Sequence, residues 1–248
     1  MKRQFVLAAL AVLMSVPVLE AKPMNRGLGN PKHTYIPQGT VALGVAGGFN
    51  RYNATGESAT TGGTLASLIT DINGNASLAS ASASLSWFVA NNMALGVRLG
   101  YNYTAMDLNN ANVLGKLNFQ NKHVTNHTVN ASLTFRGYIP LFNSKVVALF
   151  GEFRATGGYG LGKDYANTDQ GKAGSYSDIY TATLGLYPGV SVFVTNFLAL
   201  ELSLPLVEGG YEWNRQTKGS SHESELSHAF ANFKPSLVGL NFGLVFHF

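Results

Sequence analysis

The chain has 248 residues, of which 46% are hydrophobic and only 12% charged, with 28 glycines and no cysteine. Domains in water typically carry about 25% charged residues, so this surface is short of charge. A net charge of +4 without a basic stripe interleaved with aromatics excludes nucleic acid as an expected partner. The missing cysteine excludes disulfides, thiolate metal sites and a cysteine-linked lipid anchor.

The chain opens with Lys2 and Arg3, followed by an apolar run from Phe5 to Leu19. This is the pattern of a cleaved secretory leader, with cleavage expected after Ala21. Ser15 and Pro17 leave about 15 apolar residues, fewer than the ~20 of a retained spanning helix. Residues 1–21 are therefore read as a signal peptide, 22–39 as a short lead-in, and 40–248 as one folded domain. No later stretch is long enough for a helical span, so any membrane crossing must use strands.

From residue 40 onward the pattern is alternation with period two, the mark of strands with two unlike faces. Val41, Leu43, Val45 and Phe49 oppose Ala42, Gly44 and Gly48 in 41–50. The segments 78–89, 93–104, 128–136 and 147–159 repeat this, with alanine, leucine, valine and aromatics against serine, glycine, asparagine and arginine. So do 178–194, 198–206 and 238–248, which makes eight strands. Pro188 lacks an N–H for the ladder and predicts a bulge or kink in its strand. The connections alternate too. Short ones lie at 90–92, 141–145 and 194–196, and long polar ones at about 53–76, 106–125, 162–177 and 212–232. Their Gly, Asn, Ser, Thr and Asp content reads as loop.

Two barrels fit this alternation. In a soluble lipocalin-like barrel the apolar face points inward; in a membrane barrel it points to lipid. The less apolar face favours the second. It carries small residues with Arg98, Arg136, Glu152, Arg154 and Glu201, which suits a narrow lumen where opposite charges pair. An arginine on the lipid face near mid-membrane would cost about 2–4 kcal/mol. Aromatics collect toward segment ends: Trp87 and Phe88, Tyr101 and Tyr103, Phe193 and Phe197, Tyr211 and Trp213, Phe246 and Phe248. Such positions predict girdles at the two interfaces. The expected fold is all-β: an eight-stranded antiparallel up-and-down transmembrane β-barrel with short periplasmic turns and long extracellular loops.

IPQGTVALGVAGGF (36–49), WFVANNMALGVRLGY (87–101) and PGVSVFVTNFLALELSL (188–204) resemble the first strand and hairpins of a known family. It is the small eight-stranded outer-membrane β-barrel proteins of Gram-negative bacteria, of the OmpA-like transmembrane type. The resemblance implies an outer-membrane location and contact with outer-membrane lipids and lipopolysaccharide. It also implies that Phe242, Leu244, Phe246 and Phe248 form the signal read by the outer-membrane assembly machinery.

Three chemical readings compete with this one. GGYGLGKD (157–164) approximates a phosphate loop, but Asp164 stands where Ser or Thr is needed and no helix follows. His222, Glu225 and His228 share one polar stretch and read as solvated rather than metal-binding. A lipid-modifying site near His123 and His127, with Thr128, Ser132 and Glu152, fails on parity, because Ser132 and His127 fall on opposite faces. A pore is opposed by the five charged interior residues together with Phe150 and Tyr187. The expectation is a non-enzymatic scaffold without cofactors that displays four external loops to an extracellular ligand, with a narrow pore or small-solute or lipid-binding barrel as the alternative.

Overall fold

The computed structural model describes residues 35–54, 69–113, 117–168, 171–218, 221–233 and 240–248. The expected leader and residues 22–34 of the lead-in lie outside them. Ten strands follow in chain order: β1 (Val41–Ala54), β2 (Ile69–Ala90), β3 (Met93–Val113), β4 (Leu117–Pro140) and β5 (Val147–Thr168), then β6 (Gly171–Phe193), β7 (Leu198–Ser203), β8 (Val207–Lys218), β9 (Ser221–Phe233) and β10 (Asn241–His247). Each pairs antiparallel with its neighbours, from β1 through β6 in sequence, then β6 to β7, β7 to β10 and β10 back to β1. The sheet is thus a closed ring, with Ala42 opposite His247 and Gly47 opposite Phe242 at the seam. Mutual hydrogen bonds between Val41 and Phe248 extend that seam. Closure leaves no edge where the ring is complete, which a backbone in lipid requires.

Ten strands stand where the sequence pattern gives eight, and the reason is local. β7 and β8 lie end to end along β6, and β10 and β9 lie end to end along β7 and β8. Around the ring there are eight positions, and residues 234–239, between β9 and β10, lie outside the described residues. The position shared by β7 and β8 is interrupted at Leu204–Leu206, opposite Pro188. The Pro188 carbonyl accepts from Leu204 N–H at 3.1 Å, but its nitrogen, facing the same neighbour, has no hydrogen to give. The irregularity expected of Pro188 therefore falls on the adjacent strand. β6 itself stays in register with β5 through Gly151 and Pro188.

The turn end is tight. Ala90 and Met93 are joined by Asn91 and Asn92, the latter at φ 63°, a conformation asparagine tolerates better than most residues. A 3-10 turn, Leu141–Asn143, joins β4 to β5, and residues 194–197 join β6 to β7. At the other end the four long connections differ from expectation in conformation. β2 through β6 each have 21 to 24 residues, about twice the 9–11 needed to cross a bilayer. Paired strand runs through most of 106–125, 162–177 and 212–232, and the first connection is strand up to Ala54 and from Ile69. The sequence of these extensions loses its apolar alternation while the ladder continues.

Candidate functional site

Parity puts one face of every strand inside the ring. On β4 the even residues Ser132, Thr134, Arg136 and Tyr138 are buried, while Leu133, Phe135 and Ile139 are exposed. On β6 the inward set is odd and includes Ser191 and Phe193, with Leu184 and Leu186 outside. The outward positions of β5 from Val147 to Tyr159 (Val147, Leu149, Gly151, Phe153, Ala155, Gly157, Tyr159) carry no charge. They cover about 40 Å of strand, or about 30 Å along the axis at a ~40° tilt, close to the ~25 Å apolar band of a spanning barrel. An apolar skin around a buried ionic interior reverses the arrangement of a water-soluble barrel.

The fold is a transmembrane β-barrel.

Inside this barrel the five charged residues expected in the lumen meet. Glu152 on β5 is the hub. Its carboxylate accepts from Arg136 Nε at 2.6 Å and from Arg98 Nη2 at 3.4 Å, and it pairs with Arg154 Nε. Arg136 also donates through Nη1 to Glu201 at 2.7 Å and to the Tyr138 hydroxyl at 2.9 Å, and that hydroxyl donates to Glu201 at 2.9 Å. Glu152 is 1% exposed, Arg136 7% and Glu201 8%, so this is a dry lattice, where every charge needs its partner. Direct pairing of Arg136 with Glu152 across β4 and β5 sets the central contact by register alone. Rings complete the coordination: the Arg136 guanidinium lies 4.7 Å from the Phe150 ring centroid, and that of Arg154 lies 3.8 Å from Tyr187. The Tyr187 hydroxyl in turn donates to Glu208 at 3.0 Å.

Toward the turn end the lumen is closed a second time, by residues the sequence pattern assigned elsewhere. Tyr35 and Ile36, in the lead-in, are fully buried within the barrel mouth. The Tyr35 ring sits 5.7 Å from Tyr138 and 5.0 Å from Phe193, and its hydroxyl lies 3.1 Å from Ser191 O and 3.2 Å from Val146 O. Asn92 holds this segment: its Oδ1 accepts from Tyr35 N–H at 2.7 Å and from Ile36 N–H at 2.8 Å, and its own N–H donates to Ile36 O. Phe88 and Phe193, expected in an interfacial girdle, point inward at 1% and 5% exposure and pack on His247. Their inward parity was readable in the sequence; position near a strand end gave the wrong assignment.

The remaining expected girdle residues lie outside. Trp87, Tyr101, Tyr211 and Trp213 are exposed and Tyr103 is half-buried. Register aligns an aromatic row across three adjacent strands: Tyr159 lies 5.2 Å from Tyr180, which lies 5.5 Å from Trp213. On β10, Phe242 and Leu244 are exposed, Phe246 lies 6.4 Å from Phe197, and Phe248 closes the seam. His127 and His123 are also outside. His127 hydrogen-bonds the Tyr101 hydroxyl at 2.6 Å, and His123 contacts Asp107 at 2.5 Å. Ser132 faces inward, 2.8 Å from Thr156, so these groups do not converge on a common reacting centre. Residues 157–164 lie within β5 rather than in a loop. His228 is exposed and Glu225 pairs with Arg215, while the side chain of His222 lies outside the described residues.

No protein-family model matches the chain, and no curated protein matches it in sequence. Among solved structures it is similar to a major outer membrane protein from Thermus thermophilus, at 16% identity and a TM-score of 0.47, covering 84% of this chain and 98% of that one. It is also similar to Neisserial surface protein A, at 15% identity and a TM-score of 0.35, covering 85% of this chain and 98% of the other.

Proposed function

We propose that the chain is an integral outer-membrane barrel whose lumen is sealed and whose role is that of a scaffold. It presents the paired extensions of β2–β6, β8 and β9 on the outer side for surface interaction. The observation that supports this best is the double closure of the lumen, by the Arg136–Glu152–Glu201 lattice and by the Tyr35–Phe88–Tyr138–Phe193 plug. An eight-position ring is narrow to begin with, and two buried layers across it oppose a conducting path.

In this reading the exterior contacts outer-membrane lipids and lipopolysaccharide, and Phe242, Leu244, Phe246 and Phe248 address the chain to the assembly machinery. Ligands meet the chain at its outer hairpins. An enzymatic role is not proposed, since His127 and Ser132 occupy opposite faces of β4.

Two measurements test this. Boiled and unboiled samples in detergent should migrate differently on a gel, and cell fractionation should place the protein in the outer membrane; recovery from the soluble periplasm would refute the assignment. Planar bilayers containing the folded chain should stay silent, and unit conductance steps would replace the scaffold with a channel.

A further inference from the structure

The outer skin of the barrel is indented on one side. Across β10, β1, β2 and β3 one outward row reads Phe242, Gly47, Ala81, Tyr101, and the row below it Leu244, Val45, Ala83, Leu99. The flanking side chains stand out, with Phe242 63% and Leu99 64% exposed, while Gly47, Ala81 and Ala83 between them offer only hydrogen or methyl groups. A groove of about 830 Å³ results, within the range of about 300–1,000 Å³ typical of small-molecule sites. The outward positions of β1 from Val41 to Phe49 and of β2 from Ala79 to Val89 carry no charge. The groove therefore lies in the hydrocarbon layer, and what fills it is hydrocarbon.

Upward, the same face turns polar. Ala79 continues the floor between Phe49 and Tyr103, and beyond it Ser77 lies opposite Arg51, with Asn75 next on β2. From Ala79 to Leu85 the column covers about 20 Å of strand, or about 15 Å along the axis at a ~40° tilt, which is half of the ~30 Å core and so one leaflet. Arg51 is exposed and has no ion-pair or hydrogen-bond partner among the described residues. The acid on the next strand, Asp107 opposite Asn75, is engaged by His123. A second outward groove, of about 590 Å³ around Ala155, Gly157 and Ala182, ends differently. The Tyr159–Tyr180–Trp213 row crosses above it, and Tyr159 donates to Asp178, an acid where the first groove has a cation.

We propose that the groove over β1–β3 seats one acyl chain of a phosphorylated glycolipid of the outer leaflet, the lipid A part of lipopolysaccharide. Its phosphate meets the Arg51 guanidinium, sugar hydroxyls meet Ser77 and Asn75, and the chain descends over Ala79, Ala81 and Ala83. A zwitterionic phospholipid brings its own cation to the phosphate and has no sugar for Asn75. The inference rests on the outer-membrane reading above, which cell fractionation tests separately.

The test is titration of the full, folded chain in detergent with diphosphorylated lipid A, bound lipid being counted by native mass spectrometry. Dephosphorylated lipid A, phosphatidylethanolamine and phosphatidylglycerol serve as comparators. One saturable lipid A adduct is expected, weakened at least about tenfold for all three comparators and by Arg51→Gln. Ala81→Trp, which fills the groove from the lipid side, should weaken it as much while the heat-dependent gel shift is retained. Lys163→Gln, which removes an exposed outward cation of β5, should leave it unchanged. Equal binding of phosphatidylglycerol, an unchanged Arg51→Gln or Ala81→Trp variant, or an equal loss with Lys163→Gln overturns the proposal. So does a dimer of the chain that disappears with Ala81→Trp, since a second copy would then fill the groove.

Discussion

Below Arg98 the inward positions are filled with rings and ion pairs: Tyr35, Phe88, Tyr138, Phe150 and Phe193 around Arg136, Glu152 and Glu201. Above Arg98 the same strands, with the same parity, place Gly100, Ser82, Gly158 and Thr181 inside and leave a cavity. The backbone ladder is continuous through both halves on β2 to β6. On these five strands the change from solid to hollow follows side-chain volume rather than a change in backbone pairing. One glycine of the lower half also serves packing. A Cβ on Gly189 would collide with the Phe150 ring, which can seat only against a bare backbone. Stability should accordingly be concentrated in the lower half, leaving the upper half free to vary.

The largest effect is expected at the hub. Glu152→Ala removes the carboxylate shared by three guanidiniums in a dry interior, leaving only Arg136 with another carboxylate, and should lower unfolding stability by about 3–5 kcal/mol, read as a shift in the denaturation midpoint of the folded chain in detergent. Glu201→Ala, which leaves Arg136 with Glu152 still in place, should cost on the order of 3 kcal/mol. Tyr35→Ala empties the plug of its most enclosed ring and should cost about 3 kcal/mol. A variant that kept the wild-type midpoint would show that the lead-in is dispensable to the barrel. The smallest effect is expected above the lattice, where Thr181→Val should stay within about 0.5 kcal/mol. Equal sensitivity of Thr181 and Glu152 would erase the contrast between the two halves.

How much of this was legible in the sequence differed in the same way from region to region. Alternation identified the strands and the inward face of Arg98, Arg136, Glu152, Arg154 and Glu201, because a two-residue period translates directly into two faces. It did not reveal that strands continue beyond the membrane band. There the polar composition of 106–125 is shared by loops and by paired strands outside the apolar band, so composition alone does not tell them apart. It also misplaced Phe88 and Phe193, whose neighbours suggested a girdle although their parity pointed inward. The plug itself left no local signal. Tyr35 is one aromatic in a polar lead-in, and its partners Asn92, Val146 and Ser191 lie 57, 111 and 156 residues away in the chain. The interruption between β7 and β8 was half visible: Pro188 marked its level, but the break appears on the strand that needed its missing hydrogen.

The same long separations set an order of events. The pocket for Tyr35 is made by the β2–β3 turn, the start of the β5 segment and the end of β6, so it exists only once those pieces have come together. A contact of that span carries a heavy closure penalty and forms late in folding. A residue that precedes the first strand is thus one of the last to settle, and its seating reports that the barrel wall behind it is complete.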